Sequence, residues 1–182
     1  LDAKLRRRVR EEIRDIQQSL GLTVVYVTHD QEEALAVSDK VIVMRNAEIA
    51  QEGKPRELYE QPADRFVADF IGDANMVSAD ILSVDGTNAR VSIGGVEVQV
   101  PSRGLPVGPV QTAIRPESVL LDTQGGEGLA GTVLKTAYLG KHMEYTVDSP
   151  VGELFVVDER VHAPLAPGTG VTIRIGDRIA LV

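Results

Sequence analysis

The 182-residue sequence contains no cysteine, no apolar run long enough to cross a membrane and no histidines at metal-ligand spacing. The absence of cysteine excludes disulfide bonds, thiolate catalysis and cysteine-ligated metal. A membrane-spanning helix needs about 20 consecutive apolar residues, so we expect no segment of this sequence to cross a bilayer. The three histidines stand far apart, at positions 29, 142 and 162. We therefore predict no metal site.

A phosphate-binding loop is also missing from the sequence. Such a loop, G-x-x-x-x-G-K-[ST], cradles phosphates with backbone amides, reaches them with its lysine and holds magnesium with its hydroxyl. The Gly-Lys dipeptides at 53–54 and 140–141 are followed by proline and histidine instead of Ser or Thr. We therefore expect that this chain alone neither holds nor hydrolyses ATP.

The net charge is −8, although residues 1–20 carry six basic groups against four acidic ones. A basic cluster can indicate nucleic-acid binding, but it can also be the outer face of an amphipathic helix. Apolar residues recur there at helical spacing: Leu1, Leu5, Val9, Ile13, Ile16 and Leu20. We therefore predict a helix that ends at Gly21. Residues 76–182 have eight basic groups, twelve acidic groups and three aromatic residues, which argues against a nucleic-acid partner.

The stretch 23–35, TVVYVTHDQEEAL, is the most informative part of the chain. Its apolar run 24–27 is typical of a buried parallel strand. Asp30 is placed to cap a following helix, and Glu33 would complete a capping box with it. His29 would then lie at the carboxyl end of a strand and beside a helix N-terminus, where anions such as phosphate bind. The alternative is a loop histidine that bonds a neighbouring carbonyl.

Further along, two strands are predicted at 40–44 and 48–51, joined by a tight turn at 45–47. A short helix is expected to begin at Pro55, and another to run from about residue 64 to Gly72.

From residue 76 onwards, short segments with alternating polarity replace the helices. They lie at 79–84, 89–93, 96–100, 111–114, 119–122, 131–136, 144–147, 153–157, 171–175 and 179–182. Strands of period two separated by turn residues predict a small all-β barrel or sandwich. Gly94-Gly95 is expected to form a hairpin turn.

Three motifs in the first part, LDAKLR at 1–6, THDQEEA at 28–34 and DKVIVM at 39–44, closely resemble the end of an ABC-transporter ATPase subunit. The resemblance implies that His29 is the switch histidine, which contacts the γ-phosphate of ATP. It also implies that Asp2 belongs to the D-loop at the seam of an ATPase dimer. The Walker A, signature and Walker B motifs of that family would precede Leu1. We therefore expect the carboxyl-terminal part of a longer protein, whose ATP and magnesium are bound only in the intact parent.

The second part is similar to the TOBE, or OB-like, regulatory domain of importers for maltose, polyamines, ferric iron, sulfate or thiamine. The segments IRPESV at 114–119 and EYTV at 144–147 carry this resemblance. Arg115 and Glu117 would either form an ion pair that fixes the barrel or bind a ligand. The predicted fold class is an α/β fragment at 1–75, which ends a P-loop nucleotide-binding domain, followed by an all-β OB-like barrel at 76–182.

The resemblance implies the ATPase subunit that powers an ABC-type solute importer. Its expected partners are a second copy of itself, transmembrane permease subunits and, indirectly, a solute-binding protein. Its expected location is the cytoplasmic face of the cell membrane. The alternative is a stand-alone barrel module, without an ATPase role, that binds a small oxyanion near residues 140–142. Those residues could equally form a turn between strands.

Overall fold

The structure, a computed structural model, describes residues 3–182. It contains two compact units, of which the first extends to Ala63 and the second runs from Asp64 to Val182. The domain limits predicted from the motifs, 1–75 and 76–182, place the helix that follows Asp64 in the first domain instead. Asp2 lies outside the described residues.

The described residues of the first unit form three helices and one β-hairpin. Its elements are α1 (Ala3–Leu20), α2 (Gln31–Val37), β1 (Val41–Arg45), β2 (Glu48–Gly53) and α3 (Pro55–Glu60). The predicted amphipathic helix is confirmed as α1, which is followed by Gly21 with φ +62°. Its apolar residues are 37% to 66% exposed: Leu5, Val9, Ile13, Ile16 and Leu20. This apolar face is therefore uncovered in the described chain.

The strand predicted at 24–27 is wrong. Residues 22–28 have no regular secondary structure, and Val25 and Val27 are 86% and 89% exposed. A strand forms where a neighbouring strand completes its backbone hydrogen bonds, and none of the described residues pairs with this run. The apolar composition shows what the segment can bury, but it does not supply the partner.

The predicted hairpin is confirmed. β1 and β2 pair antiparallel, with Arg45 opposite Glu48 around the two-residue turn Asn46-Ala47. Both turn residues have positive φ, +52° and +64°, as a type I′ turn requires. Ala47 therefore holds a left-handed conformation that usually needs glycine.

Besides one turn of 3₁₀ helix at Pro116–Ser118, the second unit contains one α-helix and ten strands. They are α4 (Arg65–Phe70), β3 (Asn75–Asp85), β4 (Asn88–Ile93), β5 (Val96–Pro101), β6 (Gly108–Ile114), β7 (Val119–Asp122), β8 (Leu129–Tyr138), β9 (Met143–Asp148), β10 (Leu154–Asp158), β11 (Gly170–Ile175) and β12 (Ile179–Leu181). All ten predicted strands are confirmed, with ends shifted by a few residues. Gly94-Gly95 forms the predicted turn between β4 and β5, with φ of +58° and +93°.

The strands form two five-stranded antiparallel sheets, ordered β12-β6-β3-β4-β5 and β10-β9-β8-β11-β7. Both sheets follow one pairing plan, in which three consecutive strands form a meander and a fourth pairs with the first. The fifth strand comes from the other half of the unit: β12 follows β11 but completes the first sheet, and β7 follows β6 but completes the second. In each sheet the outermost strands approach one another, so the sheet curls. The predicted α/β fragment followed by an OB-like barrel is confirmed.

One hydrophobic core lies between the two sheets. It includes Val91 and Ile114 from the first sheet and Tyr145 and Ile173 from the second, all essentially fully buried. The first strand of each meander carries a bulge at a leucine, Leu82 in β3 and Leu134 in β8. The same strand pairing and the same bulge occur twice, in β3–β7 and in β8–β12. The unit therefore consists of two similar halves, and each half contributes its last strand, β7 or β12, to the sheet of the other half.

Candidate functional site around His29

His29 lies in the loop directly before α2, and its side chain is exposed. The next residue, Asp30, is the N-cap of α2, since its Oδ1 accepts a hydrogen bond from the backbone N–H of Glu33 at 3.0 Å. The predicted N-cap is therefore confirmed. Within the described residues, the imidazole of His29 has no hydrogen-bond partner, so its ring nitrogens are open to a ligand.

The second half of the predicted capping box is wrong. The backbone N–H of Asp30 donates to Thr28 Oγ1 at 3.0 Å, and not to the carboxylate of Glu33. That carboxylate accepts hydrogen bonds from other groups, one of them a guanidinium. A charge-assisted hydrogen bond of this kind is stronger than one from a neutral amide.

The buried carboxylate of Glu33 accepts hydrogen bonds from three side chains, and we call this carboxylate with its three donors the hub. Its Oε1 accepts from Arg10 Nη1 of α1 at 3.0 Å. Its Oε2 accepts from Tyr26 Oη and from Thr28 Oγ1, each at 3.0 Å. These hydroxyl hydrogen bonds hold the pKa of Glu33 below its ordinary value, and the same carboxylate raises the pKa of Tyr26.

A second contact fastens α1 to the end of α2. The guanidinium of Arg14 donates to both carboxylate oxygens of Asp39, at 2.6 and 2.9 Å. This bidentate pair holds the pKa of Asp39 below its ordinary value. The segment that contains α2, which directly follows the loop with His29, is therefore attached to α1 near both of its ends.

Sequence reasoning found the N-cap Asp30 but missed the contacts that Arg10, Tyr26 and Thr28 make with Glu33. Two hydroxyl side chains inside or beside an otherwise apolar run were the available indication, because such hydroxyls usually need an acceptor. One further acceptor, Oε1 of Gln31, is buried and has no donor within the described part of the chain.

Arg115 lies in the second unit and is buried. Its Nη1 donates to the carbonyl oxygens of Ala68 and Ile71, at 2.8 and 2.5 Å, at the carboxyl end of α4. Glu117 accepts from Arg178 Nη1 at 3.1 Å. Arg115 therefore has a structural role at the end of α4, whereas the pair of Glu117 with Arg178 is a surface contact.

Residues 139–142 form the turn between β8 and β9, closed by the hydrogen bond from Leu139 N–H to the carbonyl of His142 at 3.0 Å. The Nε2 of His142 lies 3.3 Å from Oε1 of Glu144. A carboxylate at that distance disfavours an anion at the same position. Across residues 3–182, no group of three or more acidic or histidine side chains lies close enough to hold a metal ion. No helix in the described chain is long and apolar enough to cross a membrane.

Comparison with known proteins shows what the chain is similar to. Residues 112–182 match the family model described as the TOBE domain. Over its whole length the chain is related to import ATP-binding proteins. The resemblance to ATP-binding subunits of importers, with a TOBE domain at the carboxyl end, is confirmed.

Several relatives carry a specific name. The chain is 52% identical to the Fe(3+) ions import ATP-binding protein FbpC of Rhizobium etli, over 100% of this chain and 52% of that protein. It is also 52% identical to the protein of the same name from Brucella abortus, over 98% of this chain and 50% of that protein. The spermidine/putrescine import ATP-binding protein PotA of Ruegeria pomeroyi is 36% identical, over 100% of this chain and 49% of that protein. The chain thus spans about half the length of these relatives.

Among solved structures, the cytoplasmic molybdate-binding protein ModG with molybdate bound is 22% identical to this chain. The TM-score is 0.47, and the match covers 59% of this chain and 94% of that one. This likeness is too weak to bear on function.

Proposed function

We propose that the chain is the carboxyl-terminal half of the ATPase subunit of an ABC importer. It would contribute the switch-histidine loop and the TOBE regulatory barrel to a parent protein that couples ATP hydrolysis to solute uptake. The observation that carries this proposal is the relationship to import ATP-binding proteins along the whole chain, together with an exposed, unpartnered His29 at the start of α2 in the described residues.

Uncovered apolar surface in the first unit supports the proposal. The apolar residues of α1 and the run 24–27 are exposed, and exposed apolar surface often marks a site that another part of a protein covers. In the parent, residues outside this chain would cover them, and the run 24–27 would then gain the strand neighbours that it lacks here.

His29 would act as a hydrogen-bond donor to the γ-phosphate of ATP. The remaining residues of this chain do not fit an ATP or magnesium site, because the sequence has no phosphate-binding loop and the described residues form no carboxylate cluster. ATP and magnesium binding would therefore belong to the rest of the parent, and this chain alone would be inactive. Asp2 would lie at the seam between two copies.

The parent would work as a homodimer against permease subunits at the cytoplasmic face of the membrane. The barrel would add a contact between the two copies. Symmetric pairing is the common solution for such proteins. Light scattering of the purified parent should give the mass of two chains, and the mass of a single chain at all concentrations would contradict the dimer.

Iron(III) is the proposed cargo of the importer. Relatives named for Fe(3+) import are 52% identical to this chain, whereas the one named for spermidine and putrescine is 36% identical. Disrupting the parent gene should lower uptake of radioactive iron(III) and leave putrescine uptake intact. Loss of putrescine uptake with normal iron uptake would contradict the assignment.

A further inference from the structure

We propose that Glu33 is the positioning residue of His29, and that its ion pair with Arg10 fastens the histidine loop to α1. The proposal rests on the proposed function for the role of His29 but not for the geometry. Glu33 does not approach a reacting group itself. It acts through the backbone on both sides of the histidine.

Three hydrogen bonds among Thr28, Asp30 and Glu33 form a closed ring around the backbone of His29. Thr28 Oγ1 donates to Glu33 Oε2 and accepts from the backbone N–H of Asp30. The backbone N–H of Glu33 donates in turn to Asp30 Oδ1. Residues 28 and 30 are therefore both fixed to the first turn of α2, and the backbone of the residue between them has little freedom.

The other carboxylate oxygen of Glu33 connects this ring to α1. Arg10 Nη1 lies 3.0 Å from Glu33 Oε1, and both side chains are largely shielded, at 21% and 11% exposed. A shielded ion pair resists screening by salt and competition from water more than a surface pair does. The ion pair therefore fixes this ring of hydrogen bonds to α1.

Glu32 provides a matched control. It precedes Glu33 on the same turn of α2 but is exposed, and within the described chain it has no hydrogen-bond or ion-pair partner. Glu32→Ala and Glu33→Ala remove the same side chain from adjacent positions. Only the second removes the hub.

The first experiment measures backbone motion in the 182-residue chain by ¹⁵N relaxation. In Glu33→Ala the order parameters of residues 28–30 should fall from about 0.85, typical of rigid backbone, to about 0.6 or lower. In Glu32→Ala they should stay as in the wild type. Unchanged order parameters in folded Glu33→Ala would overturn the proposal, whatever the activity of the parent.

The second experiment uses ATP hydrolysis by the whole parent protein. Glu33→Ala should lower kcat about tenfold to a hundredfold, with little change in KM for ATP, because a misplaced group costs rate more than binding. Glu33→Gln keeps an acceptor oxygen for the two hydroxyls and should recover part of the loss. In a His29→Ala background, Glu33→Ala should have no further effect.

The outcomes separate the two proposals. A further loss of rate on adding Glu33→Ala to His29→Ala would show that Glu33 acts independently of the histidine and would overturn the positioning role. A normal rate in His29→Ala, with order parameters that still depend on Glu33, would overturn the function proposed for His29 and leave the geometric role of Glu33 intact.

Discussion

Ala47 holds a backbone conformation that an alanine adopts at a cost and a glycine adopts freely. The left-handed region costs a non-glycine residue about 1–2 kcal/mol, whereas the greater freedom of glycine in the unfolded chain costs about 0.5–1 kcal/mol. The first effect is the larger one. We therefore predict that Ala47→Gly stabilises the first unit by about 0.5–1 kcal/mol, measured by urea unfolding followed by far-UV circular dichroism.

An exposed alanine in regular helix provides the control for this prediction. Ala36 lies in α2, where glycine loses helix propensity without any gain in backbone strain. Ala36→Gly should lower the free energy of unfolding by up to about 1 kcal/mol. A destabilised Ala47→Gly variant would show that the left-handed turn residue is not strained.

The carboxylate of Glu33 makes stability depend on pH in a defined direction. Its hydrogen bonds to Tyr26 and Thr28 and its pair with Arg10 favour the charged form against the nearby charge of Asp30, so its pKa in the folded state lies below the ordinary value of 4.5. A lowered pKa adds stability that is present above 4.5 and is lost as the pH falls through the folded-state pKa.

Urea unfolding of wild type and Glu33→Gln across this pH range tests the effect. The wild type should exceed the variant in stability at neutral pH, and the difference should shrink as the pH falls below the ordinary value of 4.5. Glu32→Gln removes no hydrogen bond or ion pair of the described residues, so its stability at neutral pH should stay close to that of the wild type. A gap at Glu33 that widens in acid would contradict the sign derived from its partners.

Arg115 supports the end of α4 from within the second unit. Replacing it with methionine keeps most of the volume but leaves the carbonyl oxygens of Ala68 and Ile71 without this donor. A buried acceptor left without a partner costs about 1–3 kcal/mol. We predict a loss of that size for Arg115→Met in urea unfolding.

Arg90 is the matched arginine on the surface of the same unit. Its pair with Glu97 is 3.5 Å long and both side chains are about half exposed, 54% and 53%. Exposed pairs contribute about 0–1 kcal/mol, so Arg90→Met should change stability little. Equal losses in the two variants would show that burial of Arg115 carries no special weight.

Local sequence chemistry predicts residues such as Asp30 and Gly21 well, because a cap or a left-handed glycine depends on a few neighbouring atoms. The hub at Glu33 was not predictable in the same way. Its partner Arg10 lies on another helix, and the spacing between them has no periodic pattern. The spacing of Asp30 and Glu33 predicts a capping box, but the carboxylate of Glu33 instead binds the guanidinium of Arg10, which is far away in the sequence.

At the level of the secondary-structure elements, two connections cross from one sheet to the other: the one between β6 and β7 and the one between β11 and β12. The segments that lead to β7 and β12 bond to each other: Gly176 N–H donates to the carbonyl of Ser118 at 2.8 Å, and Arg178 N–H to Ser118 Oγ at 3.1 Å. A Cβ on Gly176 would lie 2.9 Å from Ser118 Oγ and 3.1 Å from its carbonyl oxygen. There is no room for a side chain at this crossing.

We predict that Gly176→Ala destabilises the second unit by about 1–3 kcal/mol, the usual cost of overpacking. Gly170, at the start of β11, provides the control, because a Cβ added there would meet no atom within 4 Å and its φ is not positive. Gly170→Ala should therefore be neutral or stabilising by up to about 1 kcal/mol. Both are measured by urea unfolding. A harmless Gly176→Ala would show that the crossing segments separate easily.

The ten strands were predictable because alternation and turn residues act over a few positions. The exchange of β7 and β12 was not, since pairing partners far apart in sequence leave no local trace. At 24–27 the local pattern predicted a strand that the structure does not contain. The composition of this run suits a strand, but a strand also needs a neighbour, and the described chain provides none.

At the scale of the whole molecule, the two units differ in how much apolar surface they expose. The second unit encloses its core between two sheets, whereas the first exposes the apolar face of α1 and the run 24–27. Relatives about twice as long fit this contrast. The function proposed for the chain therefore depends on a parent in which the first unit is completed and His29 meets a nucleotide.

Steady-state ATP hydrolysis by the parent protein is the sharpest test of the role proposed for His29. Removing a single donor aimed at developing charge costs about 10²–10³ in kcat. We predict a loss of that size for His29→Ala, with Glu32→Ala retaining the wild-type rate. An undiminished rate in His29→Ala would contradict the account.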